Sequence, residues 1–294
     1  MVFREEFVTL EGKDGERKLA FTSWGDKGND KVLFCVHGLS RNGRDFDFLA
    51  NSLKDNYRVI CIDVAGRGNS DRIKDKKLYN YDTYVKDVLY LLDKLDIKSV
   101  DWVGTSMGGI IGMIIAAKKT DLINKMILND IGYHISGKAL DRIFDYVGAK
   151  TEFNSYEEAS RGLKARMMSF GVSEDEHWQH IFNHSIEEKN GVFVYRYDKD
   201  IVQKVPLSYR IIGNLKNPKR IGKCPDVDLS KFWNLVSCPV LLIAGEKSDI
   251  LTEDVYNKML SSGKEIDGVR IQEVGHAPML MDEEQISLVK KWLL

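Results

Sequence analysis

The sequence Gly104-x-Ser106-x-Gly108 constrains the fold of this chain more than any other feature. Residues 98–103 before it have the alternating, apolar pattern of a buried strand, and residues 110–118 after it are apolar almost all round, as in a buried helix. A strand that becomes a helix within five residues must bend sharply, and a side chain at either glycine would collide with neighbouring backbone. We therefore expect Ser106 to stand above the carboxyl edge of a sheet, beside unpaired N–H groups at the start of a helix.

Strand and helix patterns alternate on both sides of this motif. Residues 2–10 and 16–24 alternate apolar and polar side chains around a glycine-containing turn, which predicts an antiparallel hairpin. Continuous apolar runs at 31–36 and 57–62 predict strands that are buried on both faces, with helical patterns between the strands. This order predicts an α/β fold with a parallel sheet, helices on both faces and functional residues at the carboxyl ends of the strands.

The pattern changes between residues 132 and 236, where three helical patterns, the last at 173–187, and one short extended piece replace the buried strands. The sheet pattern then resumes. We predict a core formed by residues 1–131 and 237–294, interrupted by a mostly helical lid at 132–236.

The composition excludes several classes of protein. The 294 residues carry a net charge of −1, which gives no electrostatic footprint for nucleic acid or an anionic membrane surface. We find no signal peptide and no run of eighteen apolar residues, and the spacing of the four cysteines matches no metal motif. We expect a cytoplasmic protein with free thiols and no cofactor; its oligomeric state is left open.

Three candidate catalytic side chains, Ser106, Asp249 and His276, lie in turns that follow predicted strands. A serine hydroxyl needs a base within hydrogen-bond reach, and histidine suits that role because its pKa lies near the working pH. The histidine in turn needs a carboxylate that holds its tautomer. Asp130 also follows a strand, so the sequence leaves open whether Asp249 or Asp130 orients the histidine.

These features resemble the α/β-hydrolase fold superfamily, and in particular lidded esterase-like serine hydrolases. The resemblance is carried by His37-Gly38, residues 63–70, 104–109 and 245–249, and Gly275-His276. It implies a mostly parallel eight-stranded sheet with a nucleophile elbow. It also implies that Ser106 attacks, that His276 transfers the proton, and that Asp249 orients His276.

An oxyanion hole is expected beside Ser106. One donor should be the N–H of Met107, the residue after the nucleophile, and the other the N–H of Leu39, in the loop after the third strand. That loop reads His37-Gly38-Leu39-Ser40 and lacks the His-Gly-Gly-Gly run of many lipases, which argues against a typical carboxylesterase.

Two further groups have both a functional and a structural interpretation. Arg41 lies close enough to the expected acyl site to pair with a substrate carboxylate, although an exposed loop arginine is the more ordinary alternative. His177, His180 and His184 share one face of a predicted helix and could bind zinc, but packing within the lid is favoured, because a serine triad needs no metal. We therefore predict no metal site.

The leading functional hypothesis is a serine hydrolase that cleaves small carboxylic esters or lactones through an acyl-enzyme. One alternative is a carbon–carbon bond hydrolase of ring-fission dienoates on the same triad. Another is a ligand-binding homologue without catalysis. The sequence does not identify the substrate.

Overall fold

The structure is a computed structural model that describes residues 3–202 and 224–294. The strands are β1 (Phe3–Gly12), β2 (Gly15–Trp24), β3 (Val32–Val36), β4 (Arg58–Ile62), β5 (Val100–Thr105), β6 (Ile123–Asn129), β7 (His134–Ile135), β8 (Glu152–Phe153), β9 (Ile186–Lys189), β10 (Val192–Tyr195), β11 (Val227–Asp228), β12 (Val240–Gly245) and β13 (Ile266–Ile271). The α-helices are α1 (Asp47–Leu53), α2 (Tyr81–Lys94), α3 (Met107–Lys118), α4 (Gly137–Val147), α5 (Tyr156–Met167), α6 (Asp175–Ser185), α7 (Ser230–Trp233), α8 (Glu253–Leu260) and α9 (Glu283–Leu293).

An eight-stranded sheet in the order β1-β2-β4-β3-β5-β6-β12-β13 forms the centre of the molecule. The strands from β4 to β13 in this order run parallel to their neighbours, whereas β1 and β2 form an antiparallel hairpin that joins the sheet at β4. The predicted α/β class, the leading hairpin and the eight-stranded, mostly parallel sheet are thereby confirmed.

Helices cover both faces of this sheet because neighbouring side chains on each central strand point to opposite sides. On β3, Phe34 belongs to the apolar cluster that includes α2 and α3. Leu33 and Cys35 belong to the cluster that includes α1 and α9. The strands are therefore buried on both sides, and functional side chains reach solvent only at the ends of the strands.

The connection between β5 and α3 is as tight as the sequence predicts. Ser106 is the single residue between them and has a φ of +51°, a left-handed conformation that is uncommon for a residue with a side chain. A Cβ at Gly104 would lie 2.5 Å from the carbonyl of Gly108, and a Cβ at Gly108 would overlap the carbonyl oxygen of Val36. The two glycines thus permit the bend that exposes the serine.

The segment predicted as a lid contains α4 to α7 together with short strands. Strands β8, β10 and β9 form a three-stranded antiparallel sheet, and β7 pairs with β11. The prediction of a helix to residue 187 is wrong at its end, because Asn190 and Gly191 both have positive φ and close a hairpin that begins at Ile186. Residues 203–223 of the segment lie outside the described residues, and its division from the core stays a prediction.

Candidate active site

Three side chains from distant parts of the sequence meet in a row at the carboxyl edge of the sheet. Ser106 lies between β5 and α3, Asp130 follows β6, and His276 follows β13. The Ser106 hydroxyl lies 2.9 Å from His276 Nε2, and His276 Nδ1 lies 2.7 Å from Asp130 Oδ2. A neutral imidazole with its proton on Nδ1 satisfies both contacts, because it donates to the carboxylate and accepts from the hydroxyl.

The Asp130 carboxylate is fully buried and accepts hydrogen bonds from the end of β12 and from the turn after it. Its Oδ1 accepts from the N–H of Gly245 at 2.8 Å, and its Oδ2 accepts from the hydroxyl of Ser248 at 2.6 Å as well as from His276. These contacts fix the direction of the carboxylate and satisfy an anion that would otherwise be costly to bury.

Asp249, the acid that we expected at His276, does not contact that histidine. Its side chain is 49% exposed and forms an ion pair with Arg142 of α4, with an Nε–Oδ2 distance of 2.7 Å. Asp249 comes four residues after the end of β12, whereas Asp130 directly follows β6, the neighbour of the serine-bearing strand β5. The expected placement of Asp249 is wrong, and the alternative residue, Asp130, occupies the position at Nδ1.

The two expected oxyanion donors belong to segments near Ser106, since Leu39 lines the same cavity as Ser106 and Met107 directly follows Ser106. Leu39 is in the loop after β3, and Met107 is the first residue of α3. Among the described residues, neither backbone N–H donates a hydrogen bond. Buried Arg67, within residues 63–70, donates from Nε to the Leu39 carbonyl at 2.9 Å and contacts Met107 Sδ at 3.7 Å. Arg67 therefore ties together the two segments that carry these N–H groups.

His37 braces the loop that carries Leu39. Its Nε2 accepts from the N–H of Val64 at 3.0 Å, and its Nδ1 donates to the carbonyl of Gly38 at 2.7 Å. Complete burial lowers the pKa of His37 to about 3, and the neighbouring Arg67 and Arg41 charges act in the same direction. The imidazole is thus neutral at physiological pH and acts as a fixed hydrogen-bonding link.

This arrangement predicts a pH-dependent stability that can be measured with a His37→Gln variant. Because the folded-state pKa lies below the unfolded value of about 6.5, lowering the pH from 7 to 5 protonates only unfolded His37 and destabilises the fold. The His37→Gln variant has no imidazole at this position and escapes this destabilisation. The difference in unfolding free energy by which wild type exceeds the variant should therefore shrink by about 2 kcal/mol between pH 7 and pH 5. Urea unfolding at both pH values measures the deficit, and a deficit that stays constant would contradict the buried neutral state.

A cavity with about 790 Å³ of empty space, part of it open to solvent, extends from Ser106 and His276. Its floor includes Gly38 and Leu39 of the oxyanion loop. The segment between β6 and β12 supplies about half of its lining residues, among them Ile143, Tyr146, Leu163, Arg166, Met167, Phe170, Tyr195 and Tyr197. The site is thus a mostly apolar recess with a few charged side chains, as is typical of small-molecule sites.

Arg41 lines the cavity, but its guanidinium is already engaged. It pairs with Asp45 through Nε at 2.9 Å and through a second nitrogen at 2.5 Å, and it donates to the Ser185 hydroxyl at 3.0 Å. Arg41 is therefore neither an exposed loop arginine nor an unpaired cation, and a substrate carboxylate there would compete with Asp45.

The predicted face of three histidines on α6 packs against the first helix of the core. The rings of His177 and His180 contact the Phe48 ring edge-on, with centroid separations of 4.7 and 5.0 Å. The rings of His180 and His184 are 4.5 Å apart. These contacts correspond to the packing interpretation of that face.

Donor atoms of Asp47, His180 and His184 lie within 4.8 Å of one another and could hold a cation. Burial lowers the pKa of His184 to about 3, which keeps its imidazole unprotonated. The Arg44 guanidinium, however, already pairs with the Asp47 carboxylate at 2.7 Å. A metal ion would have to approach that positive charge.

Comparison with known proteins agrees with this fold. The family model described as alpha/beta hydrolase fold matches residues 31–282. A 3-hydroxybutyrate-oligomer hydrolase from Cupriavidus necator is 34% identical over 286 residues, which cover 97% of this chain and 96% of that protein. The crystal structure of a protein from Rickettsia typhi is 33% identical, with a TM-score of 0.87 over 100% of this chain and 99% of that one. An alpha/beta hydrolase from Novosphingobium aromaticivorans is 30% identical, with a TM-score of 0.83 over 99% and 98%.

The chain belongs to the α/β-hydrolase fold family, and it is an enzyme of the hydrolase class. In the two described ranges, none of the helices combines the length and the apolar character needed to span a bilayer.

Proposed function

We propose that this hydrolase cleaves small carboxylic esters or lactones through an acyl-enzyme on Ser106, with His276 as base and Asp130 as the orienting acid. The observation that carries the proposal is the continuous pair of hydrogen bonds, 2.9 and 2.7 Å long, from the serine hydroxyl through the imidazole to a buried carboxylate. This is the geometry by which serine triads are recognised, whatever the order of the residues in the sequence.

In the acylation step, Ser106 Oγ forms a bond to the carbonyl carbon while its proton moves to His276 Nε2. The resulting imidazolium is stabilised by the Asp130 carboxylate at Nδ1. The ester bond then breaks, and His276 returns the proton to the departing alkoxide, which leaves as the alcohol. Water, deprotonated by the same imidazole, adds to the acyl-serine. The bond between the acyl carbon and Ser106 Oγ then breaks, His276 returns the proton to Oγ, and the acid is released.

The N–H groups of Leu39 and Met107 are proposed to stabilise the negative oxygen of the tetrahedral intermediates. Both belong to segments that are held in place, the first by His37 and Arg67 and the second by its position at the start of α3. Loss of one such donor typically costs about 3 kcal/mol of transition-state stabilisation.

The chemistry of the cavity favours short acyl esters. Its walls are mostly apolar, and the 3-hydroxybutyrate-oligomer hydrolase, by its name, acts on oligomers of 3-hydroxybutyrate, a short-chain hydroxy acid. We therefore include oligomers of 3-hydroxybutyrate among the proposed substrates. Arg41, which could pair with a substrate carboxylate, is neutralised by Asp45 and so gives no support to the carbon–carbon hydrolase alternative.

The proposal is tested with the purified protein, a panel of p-nitrophenyl esters of increasing acyl length, and a fluorophosphonate probe. We expect turnover that is fastest for short acyl chains and covalent labelling that peptide mass spectrometry locates at Ser106. A folded protein that hydrolyses none of the esters and takes up no probe would overturn the proposal.

A further inference from the structure

One guanidinium in the cavity wall, that of Arg166 on α5, has no carboxylate partner among the described residues. We infer that Arg166, together with the Tyr146 hydroxyl, forms a subsite for a carboxylate on the substrate, so that the enzyme selects esters carrying a free acid at one end. This inference rests on the proposed ester hydrolysis and specifies its substrate class.

The charges that line the cavity are unbalanced. Among the described residues, three arginines line it, Arg41, Arg166 and Arg196, against one carboxylate, that of Asp45. Asp45 is held by Arg41 through two hydrogen bonds, so this pair is neutral overall. The cavity therefore has a net positive charge that no protein carboxylate on its surface offsets.

Arg196 is the less suitable of the two remaining cations. Its guanidinium donates to the Asn69 side chain, and its charge acts on the nearby Asp63 carboxylate, where it opposes the increase in pKa that burial causes. Arg166 has no such neighbour. Glu158, on the same helix, pairs instead with Lys150 at 2.7 Å. Residues 203–223, outside the described ranges, contain no Asp or Glu in the sequence.

The contacts of Arg166 hold its guanidinium in place while leaving donors unused. It donates to the Lys150 carbonyl at 2.6 Å and to the Tyr197 hydroxyl at 3.4 Å, and its central carbon lies 4.8 Å from the centre of the Tyr195 ring. A guanidinium has five N–H donors, so three remain after these two bonds. A planar cation that is already ordered loses little further entropy when it binds a carboxylate in two-point fashion.

Tyr146 of α4 supplies a neutral donor at the same wall. Its hydroxyl makes no hydrogen bond within the described residues, although the side chain lines the cavity. Burial raises the pKa of Tyr146, so its phenol keeps the proton at physiological pH and can donate it. The positive charges of Arg142, Arg41 and Arg166 oppose this increase in pKa.

A linear ester of a hydroxy acid matches this arrangement. Its reacting carbonyl would lie at Ser106, its short carbon chain against the apolar walls, and its terminal carboxylate at Arg166. An ester with the same chain but a methylated carboxylate would fit the same space without the charge contact, so comparing the two isolates the contribution of the subsite.

The experiment compares the 3-hydroxybutyrate dimer with its methyl ester, with cleavage of the internal ester followed by chromatography. For wild type we expect a higher kcat/KM for the free acid. Arg166→Gln should raise KM for the free acid by about 10- to 100-fold while KM for the methyl ester changes by less than about threefold. Arg166→Lys, which keeps the charge but loses two-point binding, should give an intermediate KM for the free acid.

Arg161→Gln is the matched control, because it removes the same charge from an exposed position on the same helix. Its ratio of kcat/KM values for the two substrates should equal that of wild type. A ratio unchanged in both Arg166 variants, with normal cleavage of the methyl ester, overturns the subsite and leaves ester hydrolysis intact. Failure of wild type to cleave either substrate, without fluorophosphonate labelling, counts against the proposed function itself. If circular dichroism shows that Arg166→Gln is unfolded, the test rests on Arg166→Lys: its ratio of kcat/KM for the free acid to kcat/KM for the methyl ester should fall below that of wild type, and an unchanged ratio overturns the subsite.

Discussion

Replacing Ser106 with alanine should lower kcat for p-nitrophenyl acetate by about 100,000-fold to a million-fold, because in the part of the chain that the structure describes no other hydroxyl contacts His276 Nε2 to form the acyl-enzyme. The substitution removes one oxygen and keeps the apolar surroundings, so the thermal unfolding midpoint should change little. Initial rates with purified protein, checked against the uncatalysed reaction, measure the loss.

Ser262→Ala provides the control for this substitution, since that serine is exposed in the connection between α8 and β13. It should retain wild-type turnover. Undiminished hydrolysis by the Ser106 variant would show that the observed esterase activity does not use the elbow serine and would end the proposed mechanism.

The second large effect distinguishes the two candidate acids. Asp130→Asn should lower kcat by about 10,000-fold, because an amide at Nδ1 favours the wrong imidazole tautomer and cannot stabilise the imidazolium. Asp249→Asn should change kcat by less than about threefold, since an exposed ion pair such as Asp249–Arg142 is worth about 1 kcal/mol or less and lies outside the hydrogen-bonded row.

The two asparagine variants involve the same chemical change, so each serves as the control for the other. Both should be assayed with the same ester, and their folding should be checked by thermal unfolding, because Asp130 also accepts from Gly245 and Ser248. The reverse pattern, a large loss with Asp249→Asn and a small one with Asp130→Asn, would assign the orienting role to the residue expected from sequence order.

Much of the fold could be predicted because its signals are local. The bend at Ser106 needs only a strand, two glycines and a helix in succession, and all are visible in a stretch of about twenty residues. The alternation of apolar strand patterns with helical patterns likewise predicted the parallel sheet. The position of the acid is different, because it depends on which strands are neighbours and where each one ends. Asp249 had the expected place in sequence order, but the turn after β12 directs it toward solvent and Arg142.

Residues that act through distant contacts left no signal of their own in the sequence. Arg67 and Arg166 are two of 43 basic residues, and only the folded chain brings the first to the oxyanion loop and the second to the cavity wall. The hairpin at Asn190-Gly191 was detectable in principle, since this dipeptide is the strongest short-range signal for a tight β-turn. It was obscured by the helical pattern that precedes it.

All three members of the hydrogen-bonded row lie outside residues 132–236, the segment predicted as a lid, whereas that segment supplies about half of the residues that line the cavity. The residues proposed to cleave the bond therefore lie in different stretches of the sequence from many of the residues that shape the cavity. Exchanging residues 132–236 for a segment of another shape would change which substrates fit while leaving the reacting groups unchanged. A family with this organisation can therefore acquire new substrate specificities without a new mechanism.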